Sequence, residues 1–450
     1  MKSKISSGLL ILLVALSGIG AKAPRRAQSE TVAVLFTAAP SYLPLAWMQG
    51  AERFPDGASI YYREAVVQRK LFPDFFATAD PSVSYDANRI IFAGKKTSSE
   101  PWQIWEASFD SFSPRQLTHG ANAAVRPLYL PGNRFVYSRL KDGRFVLMNA
   151  SLEGPDEQQI SFAASNILAT DVLRDGRILL QSAYLDGNEL KPEVFAVYSD
   201  GSGFESIRCD HGTSRYEGHE LSSGDIVFTH GTTLGRFSSP YATERPVDVP
   251  VAEYSEIAET PSRDWIVSVA PSSTEEFSLR LRRAGSSNTS SFLSLPSFNL
   301  IQPVVRSPRP ESKKHPSALH DWKFANLLAL NVYTSKLLVA DHSVASVNVY
   351  TRDVAGTEKL LGTAPVESDG SFFVRVPGDQ PIRFELSDKK GKSIARERGW
   401  FWARSGEQRI CVGCHAGPER APDNAVPAIL EKSTEPFDMT QTLSATSGGH

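Results

Sequence analysis

Short apolar runs alternate with turn residues along the middle of the chain. Asn88–Phe92 (NRIIF), Asn133–Tyr137 (NRFVY), Gly176–Leu180 (GRILL), Gly224–Phe228 (GDIVF) and Asp264–Ser268 (DWIVS) share one pattern, a turn pair followed by β-branched or aromatic residues. Counted from Arg89, the second residue of each run recurs at steps of 45, 43, 48 and 40. Turn-rich residues precede each run, and most are followed by a second strand-like segment: Trp102–Glu106, Arg144–Met148, Val194–Tyr198 and Phe277–Leu281. Four short strands per 40–45 residues is the period of a β-propeller blade. A single such sheet cannot bury both faces, so the repeats must stack. A β-sandwich with coincidental spacing is the competing reading. Five repeats are visible. A sixth is expected to combine Thr31–Phe36 or Ser59–Tyr62 with Asn299–Val305, which would close the ring and leave no free strand edge.

Beyond the repeats, Arg306–Pro316 is proline-rich and charged, and reads as an extended, solvated connector. A second β pattern follows, with strands expected at Leu327–Tyr333, Val347–Tyr350, the Asp-Gly hairpin of Ala364–Pro377, Pro381–Leu386 and Lys392–Ala395. The fold class is therefore all-β: a propeller, six blades expected, over 24–325, a small β-sandwich-like domain over 326–400, and a short C-terminal segment over 401–450.

The N-terminus departs from this pattern. Lys2 and Lys4 precede a 13-residue apolar run, Gly8–Gly20, and Ala21-Lys22-Ala23 has the small-x-small form of a signal-peptidase site. Thirteen residues are too short for a span at about 1.5 Å per residue against roughly 30 Å of hydrocarbon. Residues 1–23 read as a cleaved signal peptide, with an uncleaved anchor as the alternative. The expected location is the periplasm or the exterior, with no membrane span in the mature chain. The net charge of −2 would become −5 on cleavage, since the first 23 residues hold three Lys and no acid. A mildly acidic chain without a basic block is not built for nucleic acid.

Three cysteines in 450 residues exclude a disulfide framework. Two of them form Cys411-Val412-Gly413-Cys414-His415, a C-x-x-C-H sequence. Two thiols at this spacing can add to the two vinyl groups of one haem, and the adjacent His can ligate its iron. The cofactor expected is thus a single covalent haem c on Cys411 and Cys414, with His415 on the iron. Three other readings stay open. A zinc site lacks two further ligands nearby. A redox C-x-x-C lacks a thioredoxin-like βαβ pattern. A plain structural disulfide would leave a non-catalytic propeller that serves as an interaction module.

Only 35 residues follow His415, so the haem is expected to rest on the β-domain or the propeller rim. Trp400-Phe401-Trp402 is a candidate apolar wall, or else core of the β-domain. Arg398, Arg404 and Arg409 are candidate propionate partners. Met439 is the candidate distal ligand, with His315, His320 and His342 as competitors. Cys209 reads as an idle thiol.

Two stretches carry a family resemblance. Asp80–Ala93 (DPSVSYDANRIIFA), with Trp102–Trp105 and Arg115–His119, resembles the TolB-type propeller repeat, with Ala87 where that repeat has glycine. The order of propeller, β-domain and the Gly406–His415 ending resembles the hydrazine synthase α-subunit family, most specifically over Asp80–His119 and Asp369–Asn424. That resemblance implies a six-bladed propeller followed by a middle domain bearing a c-type haem. Family members continue into a further haem domain, whereas this sequence carries one haem motif, so only the haem site is carried over. The functional expectation is an exported monohaem protein that passes electrons to an unknown redox partner protein, or takes a small molecule at its iron, with the propeller as docking surface.

Overall fold

The computed structural model describes residues 32–413, 421 and 423–440, apart from 187–188, 209–212 and 336–338. The expected signal peptide, Cys209, Cys414 and His415 lie outside the described residues.

From Val34 to Val305 the described chain forms six four-stranded antiparallel sheets. The expected repeats occupy equivalent places in them. Arg89–Lys95, Arg134–Lys141, Ile178–Asp186, Ile226–His230 and Trp265–Ala270 are each the second strand of a sheet. Trp265–Ala270 is buried throughout, because a middle strand is covered on both faces by neighbouring sheets. The first strands of the sheets contact one another in a closed cycle: Ala77–Val83, Ala124–Leu130, Ile167–Val172, Tyr216–Glu220, Glu253–Glu259, Asn299–Val305 and back to Ala77–Val83. Sheets arranged radially around their first strands are propeller blades. This arrangement excludes the face-packed sandwich for this part of the chain.

The ring closes as the sequence implies. Val34–Ala39 pairs antiparallel with Asn299–Val305, from Val34↔Val305 to Ala39↔Asn299, so the first and last strands of the propeller share one sheet. Ala87, which stands where the TolB-type repeat has glycine, adopts φ +59°, a left-handed turn conformation that costs a non-glycine residue roughly 1 kcal/mol.

The charged segment after Val305 is not a free connector. Arg306 donates from its backbone to Ala33 O (2.8 Å) and from its guanidinium to Ala87 O (3.1 Å). Arg309 N bonds Tyr85 O (2.9 Å), Lys313 N bonds Arg174 O (3.0 Å), and His315 stacks on Tyr198 at 3.7 Å. Proline removes backbone donors, so the segment follows the propeller surface by side-chain and scattered backbone bonds rather than by joining a sheet.

The following domain is a pair of four-stranded sheets. One runs in the order Gln408–Cys411, Phe324–Ala329, Phe372–Pro377, Phe437–Asp438, and the other Glu358–Pro365, Ser346–Arg352, Ile382–Ser387, Ser393–Arg396. Alternating residues from both sheets, among them Leu327, Val347, Val349, Phe372 and Val374, fill one core. The expected boundary at residue 400 falls inside this unit, because Gln408–Cys411 and Phe437–Asp438 are its edge strands. Both pair in parallel, a pairing with no local turn signature in sequence.

Candidate functional site

Cys411 is the last residue of the edge strand Gln408–Cys411, which lies parallel to Phe324–Ala329 with Ala329 opposite Cys411. Leu330 N donates to Cys411 O at 2.9 Å, which fixes the strand end against the loop that follows Ala329. Gly413 sits on that same loop. A Cβ there would run into the carbonyl of Thr334 and lie 2.8 Å from that of Asn331, so the second x of the C-x-x-C is sterically restricted to glycine. Val412 and Gly413 therefore leave the sheet over the 331–334 loop.

Cys411 is half-buried with a free thiol among the described residues. Desolvation raises its pKa above the ordinary thiol value; Arg409 opposes this, while Glu397, Glu407 and Glu205 reinforce it. Redox and metal-binding cysteines sit in electropositive surroundings that favour the thiolate. This thiol has the opposite environment. Among the described residues no cluster of three or more His, Cys, Asp or Glu side chains is placed to hold a metal ion.

The residues around the motif have other duties than those expected. Trp402 is fully buried, donates its indole N–H to Gly201 O at 2.9 Å and stacks on Phe204 at 3.9 Å. It packs with Ile160, Val197 and Phe204 of the propeller rather than with the β-domain's own core. Arg404 bonds Asp379 at 2.6 Å and also the Asp200 carbonyl, while Arg409 pairs with Glu407 (2.7 Å) and donates to Phe204 O (3.2 Å). The Asp200–Phe204 turn is thus the anchorage of the β-domain on the propeller. Trp402, Arg404 and Arg409 build it, and the two arginines are engaged with protein groups there. Trp400 lies against the Arg383 guanidinium (4.5 Å).

Met439 is 1 % exposed and belongs to the β-domain core. Its backbone N–H bonds Arg375 O at 2.9 Å, and its Cγ lies 3.1 Å from where a Cβ on Gly362 would sit. Of the competing histidines, His315 stacks on Tyr198, His320 stacks on Trp322 at 4.2 Å, and His342 Nδ1 bonds Ser368 O at 2.8 Å.

The sequence reading missed a second constellation. Each innermost propeller strand carries a bulge in its pairing, and the residues there are Asp80, Arg126, Thr170, Glu217, Glu256 and Gln302. Asp80, Arg126, Glu217 and Gln302 adopt φ between +51° and +55°, a strained conformation for non-glycine residues that clusters at functional positions. Arg53, from the loop before Ser59–Glu64, reaches this ring and pairs with Glu217 (3.1 Å), Glu256 (2.8 Å) and Asp80 (3.6 Å). Arg126 pairs with Glu217 as well. Burial pushes Glu217 above the usual carboxylate range although Arg126 and Arg53 pull it down. Burial acts likewise on Glu256, but Arg53 and Arg126 outweigh it and hold Glu256 low. The first five ring residues lie seven to nine positions before Arg89, Arg134, Arg177, Asp225 and Trp265. That fixed offset from the repeat was the available signal.

The comparisons with known proteins agree with this architecture. Residues 330–416 match the family model "Hydrazine synthase alpha subunit middle domain". A 61-residue stretch, 14 % of this chain, is 38 % identical to hydrazine synthase subunit alpha of Kuenenia stuttgartiensis, and it spans 8 % of that relative's length. The structure of Kuenenia stuttgartiensis hydrazine synthase superposes with a TM-score of 0.74 at 16 % identity, over 89 % of this chain and 72 % of the other. TolB from Acinetobacter baumannii is similar over 61 % of this chain and 66 % of its own, with a TM-score of 0.46 and 11 % identity.

Proposed function

We propose that this hydrazine synthase α-like chain is an exported monohaem protein, with one haem c held by Cys411 and Cys414 and ligated by His415. The observation that carries this is the placement of Cys411. It ends an edge strand of the very domain that the family model matches, in surroundings that disfavour the reactive thiolate of a redox C-x-x-C. Cys411, the described one of the three, fits the group as a thiol at a strand end. Each cysteine would add its S–H across one vinyl group, sulfur to one carbon and hydrogen to the other, with no net oxidation. When bound, the haem supplies a one-electron iron centre. Gly413 lies against the 331–334 loop, where a side chain would strike the Thr334 carbonyl. The signal-like residues 1–23 fit this reading, because covalent haem attachment is completed outside the bacterial cytoplasm.

Met439 is committed to the β-domain core, which supports a haem that would be held by Cys411, Cys414 and His415 without its thioether. A protein partner is supported by the relative's name, which describes a subunit, and electron exchange with it is part of the proposal. Among the described residues, no helix is long and apolar enough to cross a membrane.

A pyridine haemochrome spectrum of the periplasmic protein tests the reading. A covalent c-type α-band is expected, lost when both cysteines become Ser. His415→Ala should retain the band but change the spin state. Haem that stays covalently bound in the double Ser variant, or wild-type protein carrying none with Cys411–Cys414 oxidised, would overturn it in favour of the structural disulfide.

A further inference from the structure

The propeller channel holds a pocket. Behind its ring of bulged residues stands the Arg53 loop, whose guanidinium lies over the rings of Tyr42 (5.1 Å), Trp47 (5.4 Å) and Phe54 (5.5 Å). At the other end Ser307–Pro310 and Ser312, from the segment after the propeller, line the mouth. Between them is a cavity of about 540 Å³, within the range of sites for small organic ligands.

Its chemistry is layered. At the floor is the bulged ring, where two donors that line the cavity remain unmet. Arg126 is 8 % exposed, and its Nε–H has no hydrogen-bond partner, the nearest carboxylate being Asp80 at 3.8 Å. The Thr170 hydroxyl, on the neighbouring strand, is buried without a partner as well. Both residues line the cavity. The carboxylates of the floor are already engaged: Asp80 accepts from Arg126 N and Gln302, and Glu217 accepts from Arg126 and Arg53. The unmet capacity is therefore for an acceptor. Prolines at 81, 127 and 303, each directly after a ring residue, add an apolar collar. Across the whole lining, six acidic side chains face four basic ones, counting His219 as charged, and Arg53 behind the ring adds a fifth cation, which leaves a surplus of one acid. That surplus disfavours a dianion such as phosphate and favours a ligand that also carries a positive charge.

We propose that this pocket binds a small zwitterion of the amino-acid type, its carboxylate accepting from Arg126 Nε and Thr170 Oγ1 and its ammonium facing the acidic surplus. The site is separate from the haem motif and does not depend on it. A buried donor left without an acceptor is unfavourable, so both groups favour a ligand oxygen beside them. Ordered water is the rival occupant, and it would need no positive charge.

Isothermal titration of the full-length protein decides between them, with L-alanine, L-leucine and L-glutamate as zwitterionic probes and propionate and propylamine as half-ligands. At least one zwitterion should give saturable heat, and each half-ligand should bind at least tenfold more weakly. Thr170→Val should weaken that zwitterion about tenfold with the thermal midpoint held, since the hydroxyl has no partner to lose; Thr170→Ser should restore it. No saturable heat from any zwitterion up to 10-fold above millimolar concentration, half-ligands that bind as well, or an unchanged affinity in Thr170→Val each overturns the proposal.

Discussion

Met439→Ala separates two roles for one side chain. Met439 is 1 % exposed, sits directly after the edge strand Phe437–Asp438, and fills the space above Gly362 between the two sheets of the β-domain. Moving a methionine side chain out of water is worth roughly 1.5–3 kcal/mol. The cavity left behind adds to this, and a sandwich whose sheets are held about 10 Å apart by other side chains collapses little. The expected loss is therefore about 2–5 kcal/mol, the range for Met→Ala in cores. Urea unfolding followed by tryptophan fluorescence should show a lower midpoint with an unchanged slope, which identifies lost native stability rather than a changed unfolded state. Met439→Leu conserves volume and should recover most of the loss, to within about 1.5 kcal/mol. The reduction potential of any haem should stay the same in both variants. A fall in potential with the urea midpoint unmoved would refute the packing argument and make Met439 an iron ligand.

Two further outcomes follow from the same contacts. Trp402→Phe removes the 2.9 Å bond to Gly201 O and part of the stack on Phe204, so the β-domain should loosen on the propeller by about 1–3 kcal/mol; limited proteolysis after Arg306 should speed up, and unchanged cleavage would count against the anchorage. His219 and Asp171 form a 2.8 Å pair in the propeller channel, where burial opposes the imidazolium but Asp171 outweighs it and raises His219, while burial opposes the Asp171 carboxylate but His219 and the backbone lower it. The His contribution is complete below its unfolded pKa and fades as pH rises through its raised folded value, and the Asp contribution fades only in acid. Urea midpoints should therefore fall more steeply from pH 6 to 8 in the wild type than in His219→Gln, by less than about 1 kcal/mol; parallel profiles would sink the linkage.

The sequence by itself determined the blade repeat, because each middle strand is buried on both faces and so reads as an uninterrupted apolar run after a turn. Ring closure was legible too, since pairing the first and last strands removes two free strand edges. The C-x-x-C-H motif is local chemistry and needs no fold to be seen. Tertiary structure alone decided what the residues around that motif do. Trp402, Arg404 and Arg409 are spent on the Asp200–Phe204 turn, some two hundred positions away, and no local pattern encodes a contact of that separation. Phe437–Asp438, directly before Met439, and Gln408–Cys411 join their sheet in parallel pairings that have no turn signature. The channel ring is the clearest case. Its six residues are of five kinds, each unremarkable on its own strand. They form a site only because the blades bring equivalent bulges to one axis, where burial makes every unpaired donor and every charge costly.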